Sequence, residues 1–159
     1  MQELVRIRPA ARALILTPAG ELLLMRLRMP RGPVWLTPGG GLNAGEDVLE
    51  GLRRELREEL GRDDLPIGQE VWRRQVPYVL DGLDYEQHER YFLVHCERFK
   101  ASAHNMPHET ERDWFESFRW WPVDELRASK ERFAPRRLAE LIHDLVANGP
   151  PVQPIDTGR

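Results

Sequence analysis

The sequence predicts an α/β protein in which a mixed β-sheet lies between two main helices, an α/β/α sandwich. Apolar runs of strand length recur at Ala11–Leu16, Glu21–Arg28, Glu70–Leu80, Tyr85–Phe99 and Trp114–Trp121. A helical stripe shows in two places, at Val48, Leu52, Leu56 and Leu60 and again at Leu138, Leu141, Ile142 and Leu145. At 159 residues the chain suits one domain with a substantial core and is too short for two ordinary ones.

Taken in order, Thr17-Pro18-Ala19-Gly20 reads as a turn joining the first two strands into a hairpin. Met29–Pro33 interrupts the run with two prolines and a glycine, and Trp35-Leu36 leads into the glycines at 39–41. The first helix is expected from about Asp47 to Leu60, stopped by Gly61. Gly51 sits mid-helix, where alanine is favoured, and so points to close packing against a neighbouring strand. Asp81-Gly82 marks the turn of a second hairpin. Pro122–Leu126 opens a short helical turn, and the last helix starts near Pro135, a good first-turn residue. Residues 1–149 are expected to form the domain and 150–159 a mobile tail.

Composition excludes several classes. The formal net charge is −3, with 23 basic and 26 acidic residues well mixed, which is not the basic footprint of a protein that grips a nucleic-acid polymer. A lone cysteine, Cys96, rules out an intrachain disulfide and a cysteine-based zinc cluster. No apolar stretch has membrane-spanning length and no signal peptide opens the chain, so the expected location is the cytoplasm.

Residues 38–62 concentrate the chemistry. Three consecutive glycines, Gly39–Gly41, allow close backbone approach to a phosphate or metal. On the helix that follows, Glu55, Glu58 and Glu59 share one face, because residues three and four apart are neighbours. Clustered carboxylates repel one another, and a divalent cation that prefers oxygen ligands relieves that repulsion.

The pattern Gly40, Glu46, Arg54-Glu55, Glu58-Glu59, Gly61, with Leu56 after Arg-Glu, resembles the signature of the Nudix hydrolases. Arg62 stands where that pattern usually has an aliphatic residue, and Asn43 where many members carry Glu. The resemblance implies the Nudix-type α/β/α sandwich and hydrolysis of a pyrophosphate bond in a nucleoside diphosphate-linked substrate. It implies Mg2+ as cofactor, with Mn2+ as the alternative, and it admits a homodimer. By resemblance, Glu58 and Glu59 are the principal metal ligands, Glu55 a third ligand or base, and the Gly40 carbonyl a further ligand. Glu46 and Arg54 resemble the orienting ion pair that holds the loop on the helix. An acidic residue from outside completes the site in many members. Glu109, Glu111, Asp113 and Glu116 are the candidates, Glu116 and Asp113 being favoured.

Arg26 and Arg28, on one side of their strand, are candidates to meet substrate phosphates. Trp35, Trp72, Tyr78 and Phe115 are candidates to stack on a base. His104 and His108 flank Asn105-Met106-Pro107, a loop pattern that argues against a helical metal pair. The favoured substrate is a small nucleotide, a nucleoside triphosphate cleaved to monophosphate and pyrophosphate. ADP-ribose or a sugar nucleotide is the alternative, and a nucleotide-sensing module without turnover is the alternative from another class.

Overall fold

The structure is a computed structural model and describes residues 4–106 and 113–159. The candidates His108, Glu109 and Glu111 lie outside the described residues.

Among the described residues nine strands share one sheet: β1 (Arg6–Leu16), β2 (Glu21–Met29), β3 (Gly32–Leu36), β4 (Gly39–Gly41), β5 (Ile67–Leu80), β6 (Leu83–His95), β7 (Phe115–Pro122), β8 (Phe133–Ala134) and β9 (Ile155–Asp156). Helix α1 (Val48–Leu60) covers one face, and α3 (Leu138–Asn148) the other, with a single turn α2 (Val123–Leu126) beside it. The main path runs β8-β3-β2-β1-β6-β5-β9. Strand β1 runs parallel to β6 along its whole length, from Arg6 against Tyr85 to Leu16 against His95.

Strand alternation builds the two layers. Ala11, Ala13, Ile15 and Leu23 pack with Leu52, Leu56 and Leu60 of α1. Leu14, Leu16, Leu22 and Leu24 pack with Leu138, Ile142 and Leu145 of α3. Successive residues point to opposite faces, so one apolar run feeds both cores. Each fully buried leucine contributes about 2 kcal/mol of apolar burial.

The expected first hairpin is real only at its turn. β1 and β2 meet at Leu16 and Leu22 and then separate. Strand β4 fills the space beside β1, with Ala11 opposite Gly40 and Arg12 opposite Gly39, while β7 pairs along β2. Gly39 makes the insertion possible. Its φ is +133°, and a Cβ there would collide with the Ala11 carbonyl oxygen and lie 2.6 Å from Arg12 Cα.

Helix α1 follows its sequence signals. Asp47 caps it, accepting from Leu49 N at 3.1 Å and Glu50 N at 3.4 Å. Gly61 ends it in the left-handed region, at φ 74°. Gly51 is tightly packed, but against the preceding loop and not a strand. A Cβ there would collide with Leu42 Cδ2 and lie 2.8 Å from Glu46 Oε1.

Other differences have local causes. The break at Met29–Pro33 is a tight reversal, so Gly32–Leu36 pairs back on β2 as β3. Strand β6 stops at His95 rather than Phe99, and the chain leaves the sheet so that the Phe99 carbonyl accepts from Trp120 Nε1 at 2.9 Å. Helix α3 begins at Leu138, three residues beyond Pro135, whose carbonyl accepts from Leu138 N. The segment after Gly149, expected as a mobile tail, is instead tied to the fold. Ile155–Asp156 pair with Trp72–Arg73 of β5, Thr157 is buried, and its N–H donates to the Arg73 carbonyl. No described helix is long and apolar enough to cross a membrane.

Gly39→Ala is expected to lower the unfolding free energy by about 3 kcal/mol, combining left-handed strain with a backbone collision. A urea titration beside the wild type checks this.

Candidate active site

Strand β4 lies between β1 and helix α1, so the carboxylates of α1 meet glycine backbone. Gly39 N–H donates to Glu59 Oε2 at 2.8 Å. A Cβ on Gly40 would stand 3.0 Å from the Glu55 carboxyl carbon, tight enough that the carboxylate would have to shift. Glu55 and Glu59 are both buried, each 6 % exposed, and Glu58 is half-buried.

Arg54 ties the loop to the helix. Its Nε and Nη2 donate to the two oxygens of Glu46, at 2.9 and 3.0 Å. Nη2 also reaches the Gly41 carbonyl at 3.0 Å, and Nη1 donates to Glu55 at 3.0 Å and to Glu58 at 3.1 Å. Asn43 N–H donates to Glu46 at 2.9 Å. These bonds, Arg54's first, hold the Glu46 carboxyl down at about 2. The hydrogen bond from Arg54 to Glu46 in turn raises the guanidinium above its ordinary range.

Among the described residues, no three carboxylate, imidazole or thiol groups converge as a ready metal cage. Arg54 lies among Glu46, Glu55 and Glu58 and pairs with all three, offsetting part of their charge. The donor set nevertheless suits a hard divalent cation, since carboxylates and glycine backbone supply only oxygen, without thiol or imidazole. The missing Cβ at Gly40 keeps backbone and carboxylate in direct apposition.

A cavity of about 260 Å³ opens over this point. Gly39, Gly40 and Glu59 line it together with the apolar Met25, Leu27, Leu36 and Met106 and with Trp114. Arg12 lines it too, and also borders a second cavity of about 200 Å³ that includes Tyr78 and Arg74.

The structure therefore brings together Gly40, Glu46, Arg54, Glu55, Glu58 and Glu59. The candidates from other segments fare differently. Met25 and Leu27 face the cavity, so the pleat turns Arg26 and Arg28 to the opposite face. There both pair with Glu116, at 3.2 and 3.0 Å, which places Glu116 away from the α1 carboxylates as well. Trp35 is buried in the α3-side core, edge-on to Trp121 at 5.4 Å. Trp72 is buried against Tyr91, and Phe115 packs on Phe118. Tyr78 borders the second cavity and stacks on Tyr85 at 5.2 Å. Asp113 is exposed beside Trp114.

Sequence reasoning missed Arg12, Glu89 and Trp114. Glu89 is 1 % exposed and accepts from Arg12, from Arg74 at 2.7 Å, from Gln87 at 3.0 Å and from the Tyr91 hydroxyl at 3.0 Å. Burial alone would raise the Glu89 carboxyl, but the charges of Arg12 and Arg74 overcome it and hold it at about 2. The available signal was a charge inside an apolar strand, Arg12 between Ala11 and Ala13, which requires a buried partner.

Comparison with known proteins bears directly on this arrangement. The NUDIX domain family matches residues 6–145. The chain belongs to the Nudix family. It is 26% identical over 146 residues to an RNA pyrophosphohydrolase of Wolbachia pipientis subsp. Culex pipiens (strain wPip), covering 86% of this chain and 88% of that protein. It is 47% identical over 45 residues to the nucleoside triphosphatase NudI of Enterobacter sp. (strain 638), covering 26% of this chain and 32% of that protein. Its fold matches the crystal structure of a MutT protein from Methanosarcina mazei Go1 with a TM-score of 0.65 at 22% identity, covering 89% of this chain and 96% of the other. This Nudix chain is a hydrolase of acid anhydrides that acts on the pyrophosphate bond of nucleotide-linked substrates. The family generally depends on divalent metal ions.

The depressed Glu46 carboxyl makes stability depend on pH. The group falls from an ordinary 4.5 to about 2 on folding, so its contribution is complete above 4.5 and is lost as pH drops through 2. The melting-temperature gap between wild type and Glu46→Gln should be constant above about pH 5.5 and narrow steadily below it. Thermal melts across pH check this.

Proposed function

We propose that this Nudix hydrolase cleaves a nucleoside triphosphate to a monophosphate and pyrophosphate, with a divalent cation held by Glu55, Glu58, Glu59 and the Gly40 carbonyl. The observation that supports this most is the cavity of about 260 Å³ in which Gly39, Gly40 and Glu59 stand beside the apolar Met25, Leu27 and Leu36, a lining suited to a ligand with a charged end and a flat apolar one. Both Mg2+ and Mn2+ suit an all-oxygen site. When bound, the ion neutralises the charge of the diphosphate and lowers the pKa of a water beside it.

The chain's own residues supply the rest. Gly39 N–H fixes Glu59, which lines the cavity, and Arg54 keeps Glu46 and the Gly41 carbonyl against α1 while holding Glu55 and Glu58. Glu55 is a third ligand or the base that orients the attacking water. Met25, Leu27 and Leu36 keep bulk water from one wall, which strengthens every charge interaction inside.

The relative named RNA pyrophosphohydrolase favours a second reading, in which the phosphates belong to an RNA 5′ end. Free and RNA-borne triphosphates present the same groups to the cavity and differ beyond the first nucleotide.

A panel of canonical and oxidised nucleoside triphosphates, 5′-triphosphorylated RNA, dinucleoside polyphosphates, ADP-ribose and sugar nucleotides separates these readings, with Mg2+ and with Mn2+. Free triphosphates should turn over, and Glu59→Gln should lower kcat roughly 100- to 1,000-fold, the loss of several kcal/mol of charge stabilisation. Removal of the divalent ion by chelation should abolish turnover, and adding it back should restore it. Inert triphosphates beside hydrolysed ADP-ribose or sugar nucleotides would overturn the substrate assignment. Nucleotide binding without any turnover would favour a sensing role.

A further inference from the structure

Arg12 carries a charge into the centre of the sheet, between Ala11 and Ala13, which are inaccessible to solvent. Its partner Glu89 is equally inaccessible. Buried ion pairs are poor contributors to stability, and apolar residues of similar volume often serve as well or better. The pair therefore needs an explanation other than stability, and its contacts supply one.

Arg12 Nε pairs with Glu89, while Nη1 donates to the Thr37 carbonyl at 2.9 Å. Thr37 stands two residues before Gly39, whose N–H holds Glu59. The same segment is fixed to β1 by Ala13 N donating to the Pro38 carbonyl at 2.8 Å and by the pairing of Arg12 with Gly39. Among the described residues the buried Thr37 hydroxyl meets no hydrogen-bond partner, and the turn is held through its backbone. Glu89 is immobilised by Arg74, Gln87 and Tyr91 as well as Arg12, which gives the guanidinium a fixed base. One planar fork thus spans from the β6 carboxylate to the turn that presents the glycines. Lysine, with a single compact ammonium, cannot reproduce both directions at once.

We infer that Arg12, locked by Glu89, is a positioning residue that sets the Thr37–Gly39 turn and, through Gly39 N–H, the place of Glu59. This rests on the metal-dependent reading of the Glu59 site above. A displacement of about 1 Å at a reacting centre can cost on the order of 100-fold in rate. Outer groups that orient ligands typically change metal affinity or activity by roughly 10- to 100-fold.

The test compares wild type with Arg12→Lys and Glu89→Gln. It measures kcat and KM on the best substrate, and the affinity for Mn2+ alone from the electron paramagnetic resonance of the free ion. Each folded variant should lose about 10- to 100-fold in kcat with KM within about twofold, and should bind Mn2+ more weakly by about tenfold. Folded variants with wild-type kcat and Mn2+ affinity would overturn the inference and leave the network structural. Raised KM with unchanged kcat would also overturn it, assigning Arg12 to direct substrate contact. If both variants fail to fold, Gln87→Ala decides. It removes one donor from Glu89, leaves both ion pairs in place, and should lower kcat about two- to threefold; unchanged kcat overturns the inference. If the wild type hydrolyses nothing in the panel, the substrate reading fails by itself, and the Mn2+ affinities alone decide the role of Arg12.

Discussion

The arrangement of this molecule around its site depends on one guanidinium. Glu55, Glu58 and Glu59 crowd a single helical face, and two of them are almost wholly buried. Carboxylates so placed destabilise one another unless a cation stands among them. Arg54 provides that cation from the same helix, and its fork also reaches Glu46 and the Gly41 carbonyl. One residue thereby offsets part of the charge, at Glu55 and Glu58, and pins the loop that delivers the glycines. The close packing of Gly51 under Leu42 and Glu46 and the apposition of Gly40 with Glu55 both presuppose that loop position.

The sheet supplies the slot into which the pinned loop fits. Because β1 and β2 separate after Leu16 and Leu22, β4 can lie along β1 with its other side toward α1. Alanines at 10, 11 and 13 keep β1 slim there, and Gly39 fits where any side chain would strike the Ala11 carbonyl. Two arginines then brace the glycines from opposite sides, Arg54 from the helix and Arg12 from the sheet. The cavity over Gly39, Gly40 and Glu59 is what remains where β2, β3 and the glycine strand fail to close on one another.

Features set by neighbours in sequence were legible in it. Helix α1, its Asp47 cap, its Gly61 stop and its buried leucine stripe all follow from contacts within a few residues. The grouping of Glu55, Glu58 and Glu59 was legible for the same reason, whereas the Glu46–Arg54 pair was legible only through the resemblance to the Nudix signature. Strand β4 was not, because three glycines carry no alternation and pair only through long-range backbone contacts. That Arg26 and Arg28 share a face follows from the pleat, but which face depends on β3 and β7. Glu116, one of the two favoured candidates for an outer carboxylate, pairs with those two arginines, a pairing set by the β2–β7 register. Arg12 and Glu89 meet only because β1 and β6 run parallel, and the second layer of the site hangs on that long-range pairing. The tail beyond Gly149 lacks any pattern of its own and gains order from the exposed edge of β5.

The most direct test of this account is a double-mutant cycle on kcat/KM between Arg54→Gln and Glu46→Gln. If Arg54 and Glu46 act as one tie, the double variant should be no worse than the worse single, with a coupling energy of about 1–3 kcal/mol. Losses that simply add, within about 0.3–0.5 kcal/mol, would show that the two residues act independently and would contradict the account.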